Sequence, residues 1–578
     1  MEVVYRATIQ IAKELSLNML RTGYSSVIKE SQDFTFSILD GQGRMVAQGV
    51  PQPLHIGGIS AQTQEVLRKF KNRMAPGDAY VLNHPYQACQ NHATDVTIVS
   101  PVFFRGELAA MVGNTAHKPD LGGKVPGTNS PDATDLMQEG LLLPALRLYR
   151  DEQVNEDIKE IICANTRTPE VTWGDIQAQA QTNFYGIKKL TELFESYGKD
   201  EVLSCWERWM AICEQELRKE IAKIPDGVYG PYEDFLDDDA IEFDREFRIA
   251  AQMTVKGDEL FLDLEASPQA RGPINLRPCV AQYLLTSYIS AALCPDLPLN
   301  QGVSRPIHIK FPPEGTLLNP RYPAAVNMYV RPSQILNSVV GMVLADAVPE
   351  KVGAPDSGAG GSCSFSGRDD RDGRWFSLYD ICRGGAGARP HSDGVSVLDS
   401  FVVNVMNTPV EMVEAEFPIR IRRYQLHEES GGAGKFRGGM GIRRDWEMLC
   451  DEATVNLRSD RFLHSAPGIA GGGPARPSSA ALNPDSSNAK PLRSKVSKLL
   501  LRKGDVFSVQ YGGGGGRGKP HERPVEQVLE DVWNGYISKE TAREVYGVVV
   551  EGWPPRIDEL ETSKLRGLRV PSPSTGEG

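Results

Sequence analysis

The chain has 578 residues, room for three or four domains at about 150 residues each, and its 40% apolar and 24% charged residues exclude a disordered or fibrous protein. A net charge of −12 excludes a general electrostatic binder of nucleic acid. No apolar run approaches the ~20 residues of a membrane span; the best, 339–348, contains Asp346, so no membrane insertion is expected.

The N-terminus carries Glu2 without a basic-then-apolar leader, and the nine scattered cysteines include no CxxC pair. A cytoplasmic, reducing setting without structural disulfides is therefore expected. Ala7, Ile11, Leu15 and Met19 recur at steps of four, which predicts an opening helix over 5–20. Residues 34–39 and 44–47 flank Asp40-Gly41-Gln42-Gly43 and read as strand, turn, strand, with β structure continuing to about Asn114. Three- and four-residue apolar steps predict helix over 156–197 and again over 201–221. Strands are expected at 247–254 and 259–264, and helices near 281–293 and 333–348.

The remainder is dominated by glycine, in runs that interrupt short strands such as 401–406 and 419–426. Residues 466–495, rich in Pro, Gly and Ser, are expected to form a long exposed loop. The fold class is multi-domain α+β: a β-rich metal-binding region over 1–155, a helical segment over 156–224, a middle α+β domain over 225–350, a glycine-rich β-containing domain over 351–560 and a loose tail over 561–578.

Glycine and proline together reach 95 residues, an excess that raises the question of phosphate loops. Ser430-Gly431-Gly432-Ala433-Gly434-Lys435-Phe436 imitates one, but a Walker A loop needs Gly where Glu429 stands and Ser or Thr where Phe436 stands. Gly513 to Gly518 fits GxGxxG, yet Pro520 and Pro524 follow where the phosphate-binding helix should begin. The GxSxG elbow of serine hydrolases is absent. Turns in a β-rich region are the expected role of these glycines.

Four of the nine histidines, His55, His84, His92 and His117, fall in one 63-residue stretch. His92-Ala93-Thr94-Asp95 and His117-Lys118-Pro119-Asp120 share the pattern HxxD. The segment between them reads as a hairpin turning at Arg105-Gly106, which sets Asp95 opposite Ala116 and both motifs at its open end. Converging imidazole and carboxylate suit a borderline divalent ion, zinc or manganese, and Asp33 is a candidate for a fourth ligand. The alternative reading is a pair of hydrogen-bonded loop histidines. His55 either lines the same cavity or caps a buried turn; His84, before Pro85, and the lone His391 read as structural.

At these residues the chain resembles the hydantoinase B family, which includes the C-terminal half of oxoprolinases and a large subunit of acetone and acetophenone carboxylases. The resemblance rests on Pro53-Leu54-His55-Ile56-Gly57, Asn83-His84-Pro85-Tyr86, the two HxxD motifs with Leu121-Gly122-Gly123, Gln138-Glu139-Gly140, Asn165-Thr166-Arg167-Thr168-Pro169, Gly174-Asp175-Ile176, Ser430 to Gly434 and Arg437 to Gly441. It implies a metal-bearing subunit working with a hydantoinase A-type partner that binds ATP and phosphorylates an unreactive oxygen of the small-molecule substrate. Asp33, His92, Asp95 and His117 correspond to the family's metal ligands; His55 and Asp120 stand as the catalytic candidates. Two departures mark the loop before His92: His84 replaces an Asp, and Ala88-Cys89-Gln90-Asn91 replaces a Gly-Gly-Thr approach. The function implied is ATP-dependent hydrolysis of a cyclic amide within a hetero-oligomer. Carboxylation of a ketone with bicarbonate, or a scaffold with a structural metal, are the alternatives.

Overall fold

The computed structural model describes residues 1–49, 53–398, 400–401 and 403–567. Strands β1 (Phe34–Asp40), β2 (Met45–Gln48), β3 (Ala79–Leu82), β4 (Asp95–Phe104), β5 (Glu107–His117), β6 (Leu146–Arg150) and β7 (Gln153–Val154) form one sheet in the order β2-β1-β5-β4-β3-β6-β7. All its pairings are antiparallel. The β1–β2 turn closes because Asp40 Oδ1 accepts from the Gln42 and Arg44 amides at 2.9 Å, an Asx turn.

Period two along the strands serves two buried faces. Helix α1 (Glu2–Thr22) lays Ile11, Leu15 and Met19 in a cluster with Phe34, Phe36 and Ile38, whereas Leu39 joins Ile59, Val66 and Leu67 of α2 (Pro53–Phe70). Helix α2 overturns the expected run of β structure to Asn114. Ile59, Gln62, Thr63 and Val66 are all buried and recur at helical steps, so this segment covers the second face of the sheet. The helix expected over 156–197 is two, α3 (Glu156–Ala164) and α4 (Pro169–Tyr197), because Pro169 starts a new helix.

After α5 (Lys199–Ile221), strands β8 (Gly227–Leu236), β9 (Phe247–Lys256), β10 (Glu259–Ala266) and β11 (Ile307–Lys310) form a second sheet in the order β11-β10-β9-β8. Helices α6 (Pro278–Leu293) and α7 (Val330–Ala347) share its apolar core. Most of the 339–348 apolar run is the buried interior of α7. Among the described residues no helix is long and apolar enough to cross a membrane.

Two further sheets pack together in the C-terminal half: β12 (Gly361–Arg368), β13 (Trp375–Cys382), β16 (Glu452–Arg458) and β19 (Lys495–Arg502) against β14 (Ile419–Leu426), β15 (Ile442–Met448), β17 (Ser479–Leu482), β18 (Lys490–Leu492) and β20 (Val506–Gln510). Phe365, Trp446 and Phe507 meet between them with ring centroids 5.4, 5.9 and 6.0 Å apart. The expected 466–495 loop is ordered by β17 and β18, since Ser479 to Leu482 pair with β20. The described residues of 401–406 form no strand, and Glu559–Arg566 is helical where a loose tail was expected. Residues 568–578 lie outside the described residues.

The glycine runs do not form isolated turns; they meet one another. Gly514 N donates to Gly439 O at 3.0 Å, Gly514 O accepts from Gly432 N at 2.8 Å, and Gly439 N donates to Ala386 O at 2.8 Å. A Cβ on Gly438 would stand 1.9 Å from Gly514 O, and neither residue has a left-handed φ. These positions are glycine because extended chains approach more closely than any side chain permits, as at the crowded axis of collagen. One further expectation is corrected: Cys89 and Cys279 form a disulfide across 190 residues, where the start of α6 folds onto the loop preceding His92.

Candidate metal centre

The β4–β5 hairpin sets the site. Arg105 and Gly106 take φ of 50° and 83°, the paired left-handed conformations of a type I′ turn. A bulge between Val102 and Phe103 then shifts the register by one, so Asp95 stands opposite His117 itself rather than Ala116. Strand β1 adds the third element: Phe34 pairs with Ala116, and the His117 amide donates to Asp33 O at 3.0 Å. Asp33, Asp95 and His117 therefore share one end of three adjacent strands, and His92 enters from the loop before β4.

Asp95 Oδ1 lies 3.0 Å from His92 Nε2 and 2.9 Å from His117 Nδ1. Its Oδ2 lies 3.3 Å from Nε2 of His55, which comes from the first turn of α2 and is also 3.7 Å from Asp33 Oδ1. One donor atom from each of His92, Asp95 and His117 falls within 4.8 Å of the others, and all five side chains are buried.

His92 Nδ1 stands 3.1 Å from the Asn327 carbonyl oxygen. A carbonyl only accepts, so Nδ1 carries the ring proton. Burial pushes the His92 pKa down against the pull of Asp95, leaving the ring neutral with the Nε2 lone pair facing a carboxylate oxygen. Two lone pairs at that distance repel, and a cation between them removes the repulsion. A backbone carbonyl behind the imidazole is how ligating histidines are commonly held. The residues present thus fit a divalent ion with nitrogen and oxygen donors and no thiolate. Burial opposes the charge of Asp95, yet His55, by its charge and its hydrogen bond, and the hydrogen bond from His117 hold the carboxyl well below the usual range. Burial also lowers His55, but Asp95 and Asp33 outweigh it and its pKa is raised.

Tyr329 and Tyr379, which no local sequence signal marks, flank the cluster. The His117 ring stacks on Tyr379 with centroids 4.8 Å apart, and His92 meets Tyr329 edge-on at 5.0 Å. Lys118 is fully buried, donates to Ala116 O at 3.1 Å, and is lowered to about 8 by burial. Glu139, whose Gln138-Glu139-Gly140 motif was legible, accepts from the Val326 and Asn327 amides at 2.7 and 2.6 Å and so positions the carbonyl behind His92. Burial pushes its carboxyl up to about 8.

Other sequence candidates lie elsewhere. Asp120 is not brought to the cluster: its carboxylate accepts from the Gly122, Gly127 and Arg167 amides and from the Arg167 guanidinium, bracing the Leu121-Gly122-Gly123 loop against Asn165-Thr166-Arg167-Thr168. His84 Nδ1 caps the single-turn helix Pro85–Ala88 by accepting from Tyr86 N and Gln87 N. His391 is exposed.

The cluster opens on a cavity of roughly 50 Å³ whose other walls include Asn327, Ser362, Tyr379 and Arg458. A second cavity of roughly 560 Å³, lined by Tyr288, Leu297, Leu299 and Phe401, shares Val403 with the first.

The family model described as hydantoinase B/oxoprolinase matches residues 1–520. A putative D-/L-hydantoinase component of the B type, from Pseudomonas sp. (strain NS671), is 31% identical, covering 98% of this chain and 97% of that one. The caprolactamase beta subunit of Pseudomonas jessenii is 30% identical, covering 97% and 98%. The crystal structure of the ATP-dependent caprolactamase from the same organism superposes with a TM-score of 0.90 at 29% identity over 98% of both chains. A nucleotide-free acetone carboxylase structure also reaches 0.90, at 18% identity over 98% of this chain and 82% of that one, a likeness of fold alone. The chain belongs to the hydantoinase B/oxoprolinase family.

Proposed function

We propose that this chain is the metal-bearing subunit of an ATP-dependent cyclic-amide hydrolase, acting on an intermediate that a hydantoinase A-type partner phosphorylates. The observation that carries the reading is the neutral His92, its Nε2 lone pair turned toward Asp95 and its Nδ1–H held by Asn327 O. His92, Asp95 and His117 would hold the zinc or manganese ion, with Asp33 beside them, and the ion would polarise a carbonyl or lower the pKa of a water. His55 Nε2, between Asp95 and Asp33, holds the proton that the reaction moves. Tyr329 and Tyr379 wall the imidazoles from solvent.

Assignment of ATP to the partner is supported by the glycine runs. Every amide from Gly513 to Gly518 donates to a backbone carbonyl, those of Ser430, Gly439, Pro355, Gly473, Phe436 and Ile469 in turn, so none is left for a phosphate. Both relatives are described as single components of a larger enzyme, which supports a hetero-oligomer.

Elemental analysis of the purified complex tests the reading. It is expected to find a divalent metal that His92→Ala and His117→Ala both lose together with turnover. Metal content and turnover unchanged in both variants refute a catalytic metal, and loss of metal with activity retained makes the site structural. Label from bicarbonate in the product replaces hydrolysis by carboxylation, and ATP turnover by the isolated chain refutes the division of labour.

A further inference from the structure

The cavity that holds the imidazole cluster also holds a buried cation. Arg458, at the end of β16, is 6% exposed and lines this cavity. It donates from Nη1 to Asn327 Oδ1 at 2.6 Å, from Nε and Nη2 to Ser362 Oγ at 3.0 and 2.9 Å, and from Nη2 to the Tyr379 hydroxyl at 2.8 Å. Its Nη1 is also 3.3 Å from the Asn327 carbonyl oxygen that holds His92, so guanidinium and imidazole share one anchor. Every one of these acceptors is uncharged. Glu139, a carboxyl whose field reaches Arg458, is pushed up to about 8 by burial.

Arginine stays charged in proteins. A buried guanidinium calls for counter-charge, and the carboxylates of the same cavity, Asp33 and Asp95, face the imidazoles where the cation would sit. Two of its acceptors are hydroxyls, and a hydroxyl that accepts from Arg458 keeps its own proton to give. Ser362 and Tyr379 both line the cavity. Cation and two hydroxyl donors therefore converge on the space beside His92 and His117.

We infer that Arg458, Ser362 and Tyr379 form a seat for an oxyanion in the metal cavity, so that the reacting species carries a phosphoryl or carboxylate group there. This rests on the reading of the cavity as the reaction site. The five N–H groups of Arg458 are engaged by Asn327, Ser362 and Tyr379, so Arg458 supplies the charge and holds the two hydroxyls that donate to the anion, and the metal-facing side chains are left to the atom that reacts.

The test titrates the full-length, metal-loaded chain, without its partner, with inorganic phosphate and separately with bicarbonate. Wild type is expected to bind one of them, and Arg458→Gln to weaken that binding about ten- to a hundredfold with metal content unchanged. Binding of phosphate assigns a phosphoryl ligand, and binding of bicarbonate a carboxylate. Arg458→Lys keeps the charge but not the bonds that hold Asn327, Ser362 and Tyr379 in place, and Tyr379→Phe removes one donor; each is expected to weaken binding several-fold, which keeps the inference testable if the Gln variant fails to fold. Equal binding by wild type and Arg458→Gln means that the metal alone holds the anion and overturns the seat, as does failure of both anions to bind wild type. Wild-type chain that takes up no metal refutes the metal reading instead, and the titration of that metal-free chain then judges the seat by itself.

Discussion

Replacing Gly514 and Gly473 separately by alanine probes the glycine bundle with two residues that look alike in sequence. At Gly514 the added Cβ would fall 2.2 Å from both the carbonyl carbon and oxygen of Ala386 and 2.4 Å from Gly387 N, all backbone atoms. Ordinary contact begins at 3.4 Å, so the segments must part by about 1.2 Å. Overpacking of this kind costs about 3 kcal/mol. Parting also breaks the Gly514 N to Gly439 O and Gly432 N to Gly514 O bonds, at about 1 kcal/mol each. The sum, roughly 5 kcal/mol, corresponds to a fall in melting temperature of roughly 10 °C or more. At Gly473 the nearest atom is Ala433 O at 3.6 Å and φ is not left-handed, so alanine is expected to change stability by less than about 0.5 kcal/mol. Thermal unfolding followed by circular dichroism, with limited proteolysis of the C-terminal half, reads both. A Gly514→Ala protein melting within about 2 °C of wild type would show that close backbone approach is not why these residues are glycine.

Glu139 makes stability depend on pH. Its carboxyl is pushed from 4.5 to about 8 by burial, so between those values the unfolded chain loses a proton that the folded chain keeps, and stability falls as pH rises, by an amount on the order of 5 kcal/mol at most. Glu139→Gln is expected to flatten the fall in melting temperature between pH 6 and pH 8.5; identical slopes for both proteins would sink this account. The Cys89–Cys279 bridge closes 190 residues, so its reduction is expected to lower stability by up to about 5 kcal/mol in the chain-entropy treatment. Intact mass before and after reduction, with thermal unfolding in dithiothreitol, checks both the bond and its effect; a mass equal to that of nine free thiols would refute it.

Much of the fold was legible because it depends on neighbours along the chain. The four-residue steps of α1, the Asp-Gly turn between β1 and β2, and the Arg105-Gly106 hairpin each follow from side chains within a few positions. Local reading failed where a distant surface decides. Ile59, Gln62, Thr63 and Val66 already had helical spacing, but two polar members of that face hid it, and only a sheet face in need of cover makes the segment α2. Asp120 sat in a motif identical in pattern to that of Asp95, yet backbone amides and Arg167 claim its oxygens.

For the site, the sequence by itself determined the donor types and brought His92, Asp95 and His117 to one hairpin end, because a hairpin's turn dictates which residues face each other. Tertiary structure decided the rest. The bulge put Asp95 opposite His117, the Asn327 carbonyl chose the tautomer of His92, and the meeting of β12, β13 and β16 set Ser362, Tyr379 and Arg458 around the cavity. The glycines divide the same way. Their abundance is a property of the sequence, but the need for them arises only where separate segments come within carbonyl contact, a distance that no local pattern encodes.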